Sequence, residues 1–138
     1  MRTPLFMLGA AFLVAGCMAT PPAISTCEIA DGALDDAAFV IATSPAAGDR
    51  VTSGFTVTGC SRTFESTFVW RLLARDGSEL AAGFAMGGGV DGPGAFAFDV
   101  AFTVSERQIG HLEVFEEDVS DGEGFPPGRT VVPLVLMP

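Results

Sequence analysis

The chain has 138 residues, about half of them apolar, so its length suits one domain with a single hydrophobic core. All seven basic residues are arginine, and the seventeen Asp and Glu residues leave a net charge of −10. A chain this acidic repels nucleic-acid phosphates and anionic lipid headgroups. The net charge therefore disfavours nucleic-acid partners, and it disfavours membrane attachment that rests on overall charge.

The N-terminus has the features of an export signal. Arg2 precedes an uncharged apolar run at residues 4–16, which is short for a membrane-spanning helix and typical of a signal peptide. The run ends in a Val-Ala-Gly-Cys sequence at residues 14–17, where it resembles the lipobox of bacterial lipoproteins. The resemblance implies cleavage after residue 16 and acyl chains on Cys17, and two or three such chains hold a protein firmly to a membrane. The alternatives are an ordinary cleaved signal with a free cysteine and an uncleaved apolar anchor.

The sequence predicts three segments. Residues 1–16 form the lipoprotein signal peptide, residues 17–38 the lipidated cysteine and a small, acidic, proline-containing linker, and residues 39–138 the folded domain. Inner-membrane lipoproteins often carry Asp directly after the lipidated cysteine. Met18 stands there instead, so we expect an exported protein anchored by lipid, preferentially at the periplasmic face of an outer membrane.

The two remaining cysteines predict a disulfide. Export places Cys27 and Cys60 in an oxidising compartment, where the bond would close a loop of about 34 residues. Chain-entropy estimates for such a loop are roughly 3–4 kcal/mol. The alternative is a pair of buried, unpaired thiols.

Short alternating segments separated by turn signals occupy the chain from residue 39 onward, which predicts an all-β sandwich or barrel and no long helix. Seven strands are predicted, at residues 39–43, 55–60, 64–74, 79–84, 95–102, 112–117 and 130–136. The third is expected to point Phe64, Phe68 and Trp70 to one face, with Trp70 in the core. Pro133 requires a sheet edge or a bulge in the last strand. Two sheets that are apolar on one face must cover each other, so a sandwich is expected.

Several short motifs, in this order and spacing, resemble the immunoglobulin-like domain of bacterial spore germination. They are Ile41-Ala42-Thr43-Ser44-Pro45, Gly48, Val57-Thr58-Gly59, Phe64-Glu65, Arg71-Leu72-Leu73, Asp76-Gly77, the glycine-rich stretch before Phe96, Leu112-Glu113-Val114-Phe115-Glu116 and Asp121-Gly122. The resemblance implies an immunoglobulin-like β-sandwich of about seven antiparallel strands, found in envelope proteins and without enzymatic activity. The sequence departs from the family pattern at Cys60 and at Phe125-Pro126-Pro127.

The densest acidic cluster is the one candidate metal site. Its carboxylates are hard oxygen ligands of the kind that bind Ca²⁺ weakly, but their spacing does not match an EF-hand loop. The weak candidate ligands are Glu116, Asp118, Asp121 and Glu123. A solvated acidic loop is the simpler interpretation, so no cofactor is expected and Ca²⁺ is the alternative.

Catalytic motifs are missing from the sequence. His111 is the only histidine and no nucleophile elbow accompanies it, so we expect a surface histidine at a strand start. The glycine-rich residues 86–94 lack the lysine and helix pattern of a phosphate-binding loop and predict a flexible connection. Glu65 is expected to pair with an arginine (Arg62, Arg71 or Arg75) or with the backbone.

These observations predict a non-enzymatic envelope lipoprotein whose domain serves as a binding or structural module. Its partners would be the membrane, through the lipid, and an unidentified envelope protein or cell-wall component. Loops on a rigid sandwich are the usual contact surfaces, and the candidates are Met86 in one loop with Phe125 and Pro126 in another. The alternative is a Ca²⁺-dependent adhesion or stability module using residues 116–123.

Overall fold

A computed structural model describes Cys27, residues 37–118 and residues 128–138. Every regular element in these residues is a β-strand, and none of them forms a helix that is long and apolar enough to span a bilayer. The strands are β1 (Phe39–Ser44), β2 (Arg50–Val51), β3 (Phe55–Arg62), β4 (Thr67–Leu73), β5 (Glu79–Met86), β6 (Gly94–Val100), β7 (Gln108–Phe115) and β8 (Arg129–Leu136). The predicted all-β class is confirmed.

The strands form two sheets that pack face to face. One has the order β1-β3-β6, and the other has the order β2-β8-β7-β4-β5. All pairings are antiparallel except the short β2–β8 pair. Because side chains alternate along each strand, every sheet contributes one apolar face to a shared core. The predicted immunoglobulin-like sandwich is therefore present.

Aromatic side chains from both sheets fill the centre of the core. The Trp70 indole of β4 stacks on the Phe98 ring of β6 with centroids 5.0 Å apart, and the Phe68 and Phe96 rings are 4.6 Å apart. Phe68 is fully buried, which contributes roughly 1.5–3 kcal/mol. Gly83 lies opposite Trp70, and a Cβ there would meet the indole at 2.8 Å. The prediction of Trp70 as a core anchor is confirmed.

The strand predicted to begin at residue 64 begins at Thr67 instead. Ser66 has a positive φ of 59°, which ends the extended conformation and forms a turn after β3. Phe64 therefore lies outside the sheet with 75% of its surface exposed, so the prediction that it faces the core is wrong.

The glycine-rich segment is packed rather than loose. β5 extends to Met86, and the Gly87 N–H then donates to the Ser66 carbonyl at 3.0 Å. The Thr63 N–H donates to the Gly88 carbonyl at 3.1 Å. Side chains larger than hydrogen would collide with the neighbouring backbone at Gly88. This stretch, predicted as a flexible connection, therefore packs against the turn between β3 and β4.

Pro133 occupies a position where β8 has no strand partner on one side. The nitrogen and the carbonyl of one residue in a strand point to the same side. The Pro133 carbonyl accepts the Gly48 N–H at 2.8 Å, on the side away from β7, so the Pro133 nitrogen also points away from β7. β2 reaches only Val135 and Leu136. The predicted edge position is confirmed, and the missing proline N–H costs no ladder hydrogen bond.

The predicted disulfide between Cys27 and Cys60 is present, with the two Cα atoms 5.3 Å apart. Cys60 lies in β3 opposite Ile41 of β1, and both sulfur-bearing side chains are buried beside Phe39. The bond therefore fastens Cys27, from the segment predicted as a linker, to the three-stranded sheet.

Candidate binding surface

The turn between β3 and β4 presents Phe64 to solvent. The Phe64 N–H donates to the Glu116 carboxylate at 2.7 Å, which holds the turn against the residues that follow β7. A hydrogen bond to an ionised acceptor is stronger than a neutral one. The backbone that presents this exposed ring is therefore held by a specific contact with an acidic side chain.

A cavity of about 260 Å³ opens beside Phe64. Its apolar wall contains Phe64, Val69 and Phe84, and its acidic wall contains Glu65, Glu116 and Glu117; Thr67 and Phe68 complete it. Phe84 pairs with Val69 across β4 and β5 and is 72% exposed. A concave surface that combines apolar and charged groups is the usual form of a binding site.

A second cavity of about 290 Å³ lies on the other side of Phe64. It is lined by Ala38, Arg62, Thr63, Phe64, Val90 and Glu116. Arg62 Nη2 donates to the Val90 carbonyl at 3.3 Å, and Val90 is 60% exposed. The glycine-rich segment and the first residue of the acidic stretch therefore meet at Phe64. We call this region the acidic end, comprising Phe64, Glu65, Phe84, Met86, Val90, Glu116 and Glu117.

The outer edge of β5 continues this surface. β5 is the last strand of its sheet, and no described residue pairs with its outer side. In an antiparallel sheet, the backbone N–H and C=O groups of successive residues point to opposite sides of the strand. The Gly87 N–H points toward β4, so the backbone groups of Phe84 and Met86 point to the open edge. Such an edge is a template for an added strand.

The structure describes only some of the predicted site residues. Met86, predicted in a loop, is instead the last residue of β5, and it is 72% exposed at the acidic end. The other two loop candidates, Phe125 and Pro126, lie outside the described residues, as does the lipidation candidate Cys17.

The calcium candidates are divided in the same way. Glu116 already accepts the Phe64 N–H, and Asp118 is exposed, whereas Asp121 and Glu123 lie outside the described residues. Within residues 37–118 and 128–138, together with Cys27, no three His, Cys, Asp or Glu side chains are placed to hold a metal ion.

Glu65 and His111 differ in detail from their predicted positions. Glu65 is exposed at the acidic end, and the described ion pairs connect Arg71 and Arg129 to Glu113 instead. His111 lies inside β7, half-buried opposite Pro133, rather than at the strand start.

Sequence reasoning missed the central residue of this surface. Phe64 follows an alternating pattern that continues through Phe68, so periodicity assigned it to the core. The signal against that assignment is the polar stretch Ser61-Arg62-Thr63 before it, which marks the end of β3 and the start of a turn.

Comparisons with known proteins bear on the fold. A family model described as the immunoglobulin-like domain of bacterial spore germination matches residues 39–123. No protein matches in a search of curated proteins. Among solved structures, the chain is similar to CopC from Methylosinus trichosporium OB3b, with 21% identity and a TM-score of 0.42, covering 73% of this chain and 94% of that one. Likeness at that level carries no argument about ligand or activity.

Proposed function

Because this chain belongs to the family of immunoglobulin-like domains of bacterial spore germination, we propose that it is a non-enzymatic binding module of the bacterial cell envelope that contacts a protein partner through its acidic end. One observation carries the proposal: large apolar side chains are held in solvent beside three carboxylates. Phe64, Phe84 and Met86 are each more than 70% exposed. Clustered exposure of this kind is typical of an interaction surface.

The charge of the acidic end defines the chemistry of the partner. Glu65, Glu116 and Glu117 surround the cavity, so an acidic partner is repelled and a second copy of this acidic chain is disfavoured. A basic, partly apolar segment in extended conformation satisfies the surface best. Its backbone pairs with the open edge of β5, and its apolar side chains cover Phe84, where full burial contributes roughly 1.5–3 kcal/mol per aromatic ring.

The proposed location is the periplasmic side of a membrane, with Cys17 lipidated. The export features of residues 1–17 support this part of the proposal. Nine residues lie between Cys17 and Cys27, so ten Cα-to-Cα steps connect them, and the disulfide fixes Cys27 to β3. A fully extended chain of that length reaches at most about 35 Å. The domain therefore stays close to the membrane surface, and its partner would be found in the same layer.

Photo-crosslinking in intact cells tests the acidic end. A photoreactive amino acid is placed at Phe84 of the full-length protein and, as a matched control, at Ala97, which is exposed on the outer face of β6 in the other sheet. We expect a discrete protein adduct from position 84 and none from position 97. Glu117→Arg, combined with the probe at position 84, should weaken the adduct because it reverses one rim charge. Adducts only from position 97 would move the binding surface, and none from either position would argue against a binding module.

The calcium-dependent alternative has a separate test. A Ca²⁺ site formed by Glu116, Asp118, Asp121 and Glu123 would raise the melting temperature at millimolar Ca²⁺, since a ligand that binds only the folded state stabilises it. Magnesium at the same concentration is the matched control. No shift with Ca²⁺ would remove the alternative without affecting the protein-binding proposal.

A further inference from the structure

Three arginines line one cavity at the end of the five-stranded sheet opposite the acidic end. The cavity has a volume of about 360 Å³ and is lined by Arg50, Arg75, Arg107, Gln108, Ile109 and Val135. No carboxylate is among the lining residues. In a chain with seven basic residues and seventeen acidic ones, this is a strong local reversal of charge.

Strand pairing brings these residues together. Arg50 of β2 lies beside Val135 of β8, and Val135 in turn pairs with Ile109 of β7. Arg75 follows β4, and its N–H donates to the Gln108 side chain at 3.1 Å. The backbone of Arg50 and of Arg75 is therefore tied to the sheet, and Arg107 directly precedes the first residue of β7.

Three carboxylates are adjacent to these arginines in sequence, Asp49, Asp76 and Glu106, and none of them forms a described ion pair with the cluster. Asp49 accepts the Ala46 N–H at 2.8 Å, and Asp76 accepts the Ser78 N–H and O–H at 3.0 and 2.6 Å. Asp49 and Asp76 are thus used inside their own turns, and Glu106 is exposed outside the cavity lining. The ion pairs among the described residues involve other arginines, and the structure gives Arg50 and Arg107 none within that part of the chain. Three guanidinium groups that share a cavity repel one another unless an anion binds between them.

We propose that the cavity at Arg50, Arg75 and Arg107, the arginine end, binds an anionic group of the phosphate class that carries at least two negative charges. Guanidinium groups present paired N–H donors that match phosphate oxygens, and three positive charges suit a dianion better than a single carboxylate. Gln108 adds an amide, while Ile109 and Val135 supply an apolar floor for the organic part of a phosphate ester. Two sources share this chemistry: a phospholipid headgroup and a phosphate ester in solution.

Arginine side-chain nuclear magnetic resonance tests the site on the protein as isolated from cells in neutral detergent. Pyrophosphate is the probe for the solution source. Phosphatidylcholine nanodiscs that contain cardiolipin, whose headgroup carries two phosphates, are the probe for the headgroup source, and nanodiscs of phosphatidylcholine alone are their control. Arg75→Gln and Arg107→Gln each remove one charge from the cavity. Arg129→Gln removes the same charge at a distance, beside Phe115.

We expect one of the two probes to perturb the Nε signals of Arg50, Arg75 and Arg107 and to leave that of Arg129 unchanged. Each cavity variant should lower the affinity roughly five- to tenfold, because it removes a charge-assisted contact, and Arg129→Gln should not. A response to pyrophosphate assigns a phosphate ester in solution, and a response to cardiolipin nanodiscs alone assigns a headgroup. No response to either probe, or equal loss in Arg129→Gln, would overturn the proposal. Partner crosslinking at Phe84 is a separate readout, so the two proposals fail independently.

Discussion

The acidic end and the arginine end are opposite termini of the same two strands. β4 begins at Thr67 beside the acidic end and finishes at Leu73, just before Arg75. β7 runs the other way, from Gln108 beside Arg107 to Phe115 beside Glu116. Seven or eight residues of extended chain separate the ends by roughly 20–25 Å. Antiparallel pairing thus sorts charges that are scattered in sequence into two clusters of opposite sign.

The face between the two ends is already satisfied internally. Arg71 pairs with Glu113 at 2.6 Å, and the guanidinium groups of Arg71 and Arg129 lie 5.4 and 4.6 Å from the centre of the Phe115 ring. Charges in the middle of the sheet therefore pair with one another, whereas those at the ends remain available. On an acidic protein, a binding region is therefore distinguished by charged groups that have no ion-pair partner within the protein, rather than by the total charge.

The largest expected change in the free energy of unfolding is for a core aromatic residue, compared with an exposed aromatic residue at the acidic end. Trp70→Ala should destabilise the fold by roughly 3–5 kcal/mol, because it leaves a cavity against Phe98. Phe84→Ala removes another aromatic ring from the same sheet, but that ring is 72% exposed, and the expected change is within about 0.5 kcal/mol. Urea denaturation of both variants gives the comparison. A large loss in Phe84→Ala would mean that this ring stabilises the fold rather than serving a partner.

Removing the disulfide should have the next largest effect. The double variant Cys27→Ser, Cys60→Ser opens a loop with a sequence separation of 33 residues, for which the chain-entropy model gives roughly 3–4 kcal/mol. Urea denaturation with and without reductant measures the loss, and reductant should change only the wild-type protein. The tether to Cys17 would also lengthen, since its fixed point would move from Cys27 toward β1. Equal stability of variant and wild type would show that the bond contributes only to tether length.

Sequence reasoning predicted the sheets well because apolar and polar residues alternate along a strand that is buried on one face. The run from Phe96 to Phe102 alternates as expected, and Phe96, Val100 and Phe102 are buried. The same rule failed at Phe64, where a single positive φ at Ser66 changed which way the chain faces. It also missed β2, which has only two residues and lacks any periodic signal.

The arginine end could not be predicted from sequence for a topological reason. Arg50, Arg75 and Arg107 are far apart along the chain and each has an acidic neighbour, so local charge patterns appear balanced. They converge only because β2 pairs with β8 and β7 pairs with both β4 and β8. The predicted loops, in contrast, did lead to the acidic end, since Met86 and Glu116 both belong to them.

A smaller effect is expected where the acidic end is held together. Glu116→Ala removes the acceptor of the Phe64 N–H and should cost about 1 kcal/mol. Glu117→Ala removes an equal charge from an exposed neighbour, and the expected change is within about 0.5 kcal/mol. Melting temperatures of the two variants provide the measurement. If both variants lose stability equally, general charge rather than the specific hydrogen bond supports the turn.

The smallest expected effect is on the pH dependence of stability, through Asp76 beside the arginine end. The hydrogen bonds from the Ser78 side chain and backbone to the Asp76 carboxylate lower its pKa below the ordinary value of 3.8. The folded protein therefore binds this proton less readily than the unfolded chain. The stabilisation is complete above the ordinary pKa and is lost as the pH falls through the lowered one.

Asp76→Asn should flatten the acid limb of the stability curve, because the amide cannot titrate. Urea midpoints at neutral pH and at about pH 3 measure this, and the difference between them should be smaller in the variant than in the wild type. Ser78→Ala removes only the hydroxyl donor and should give an intermediate curve, since the backbone N–H still reaches Asp76. Parallel curves for all three proteins would mean that the turn adds nothing to acid sensitivity.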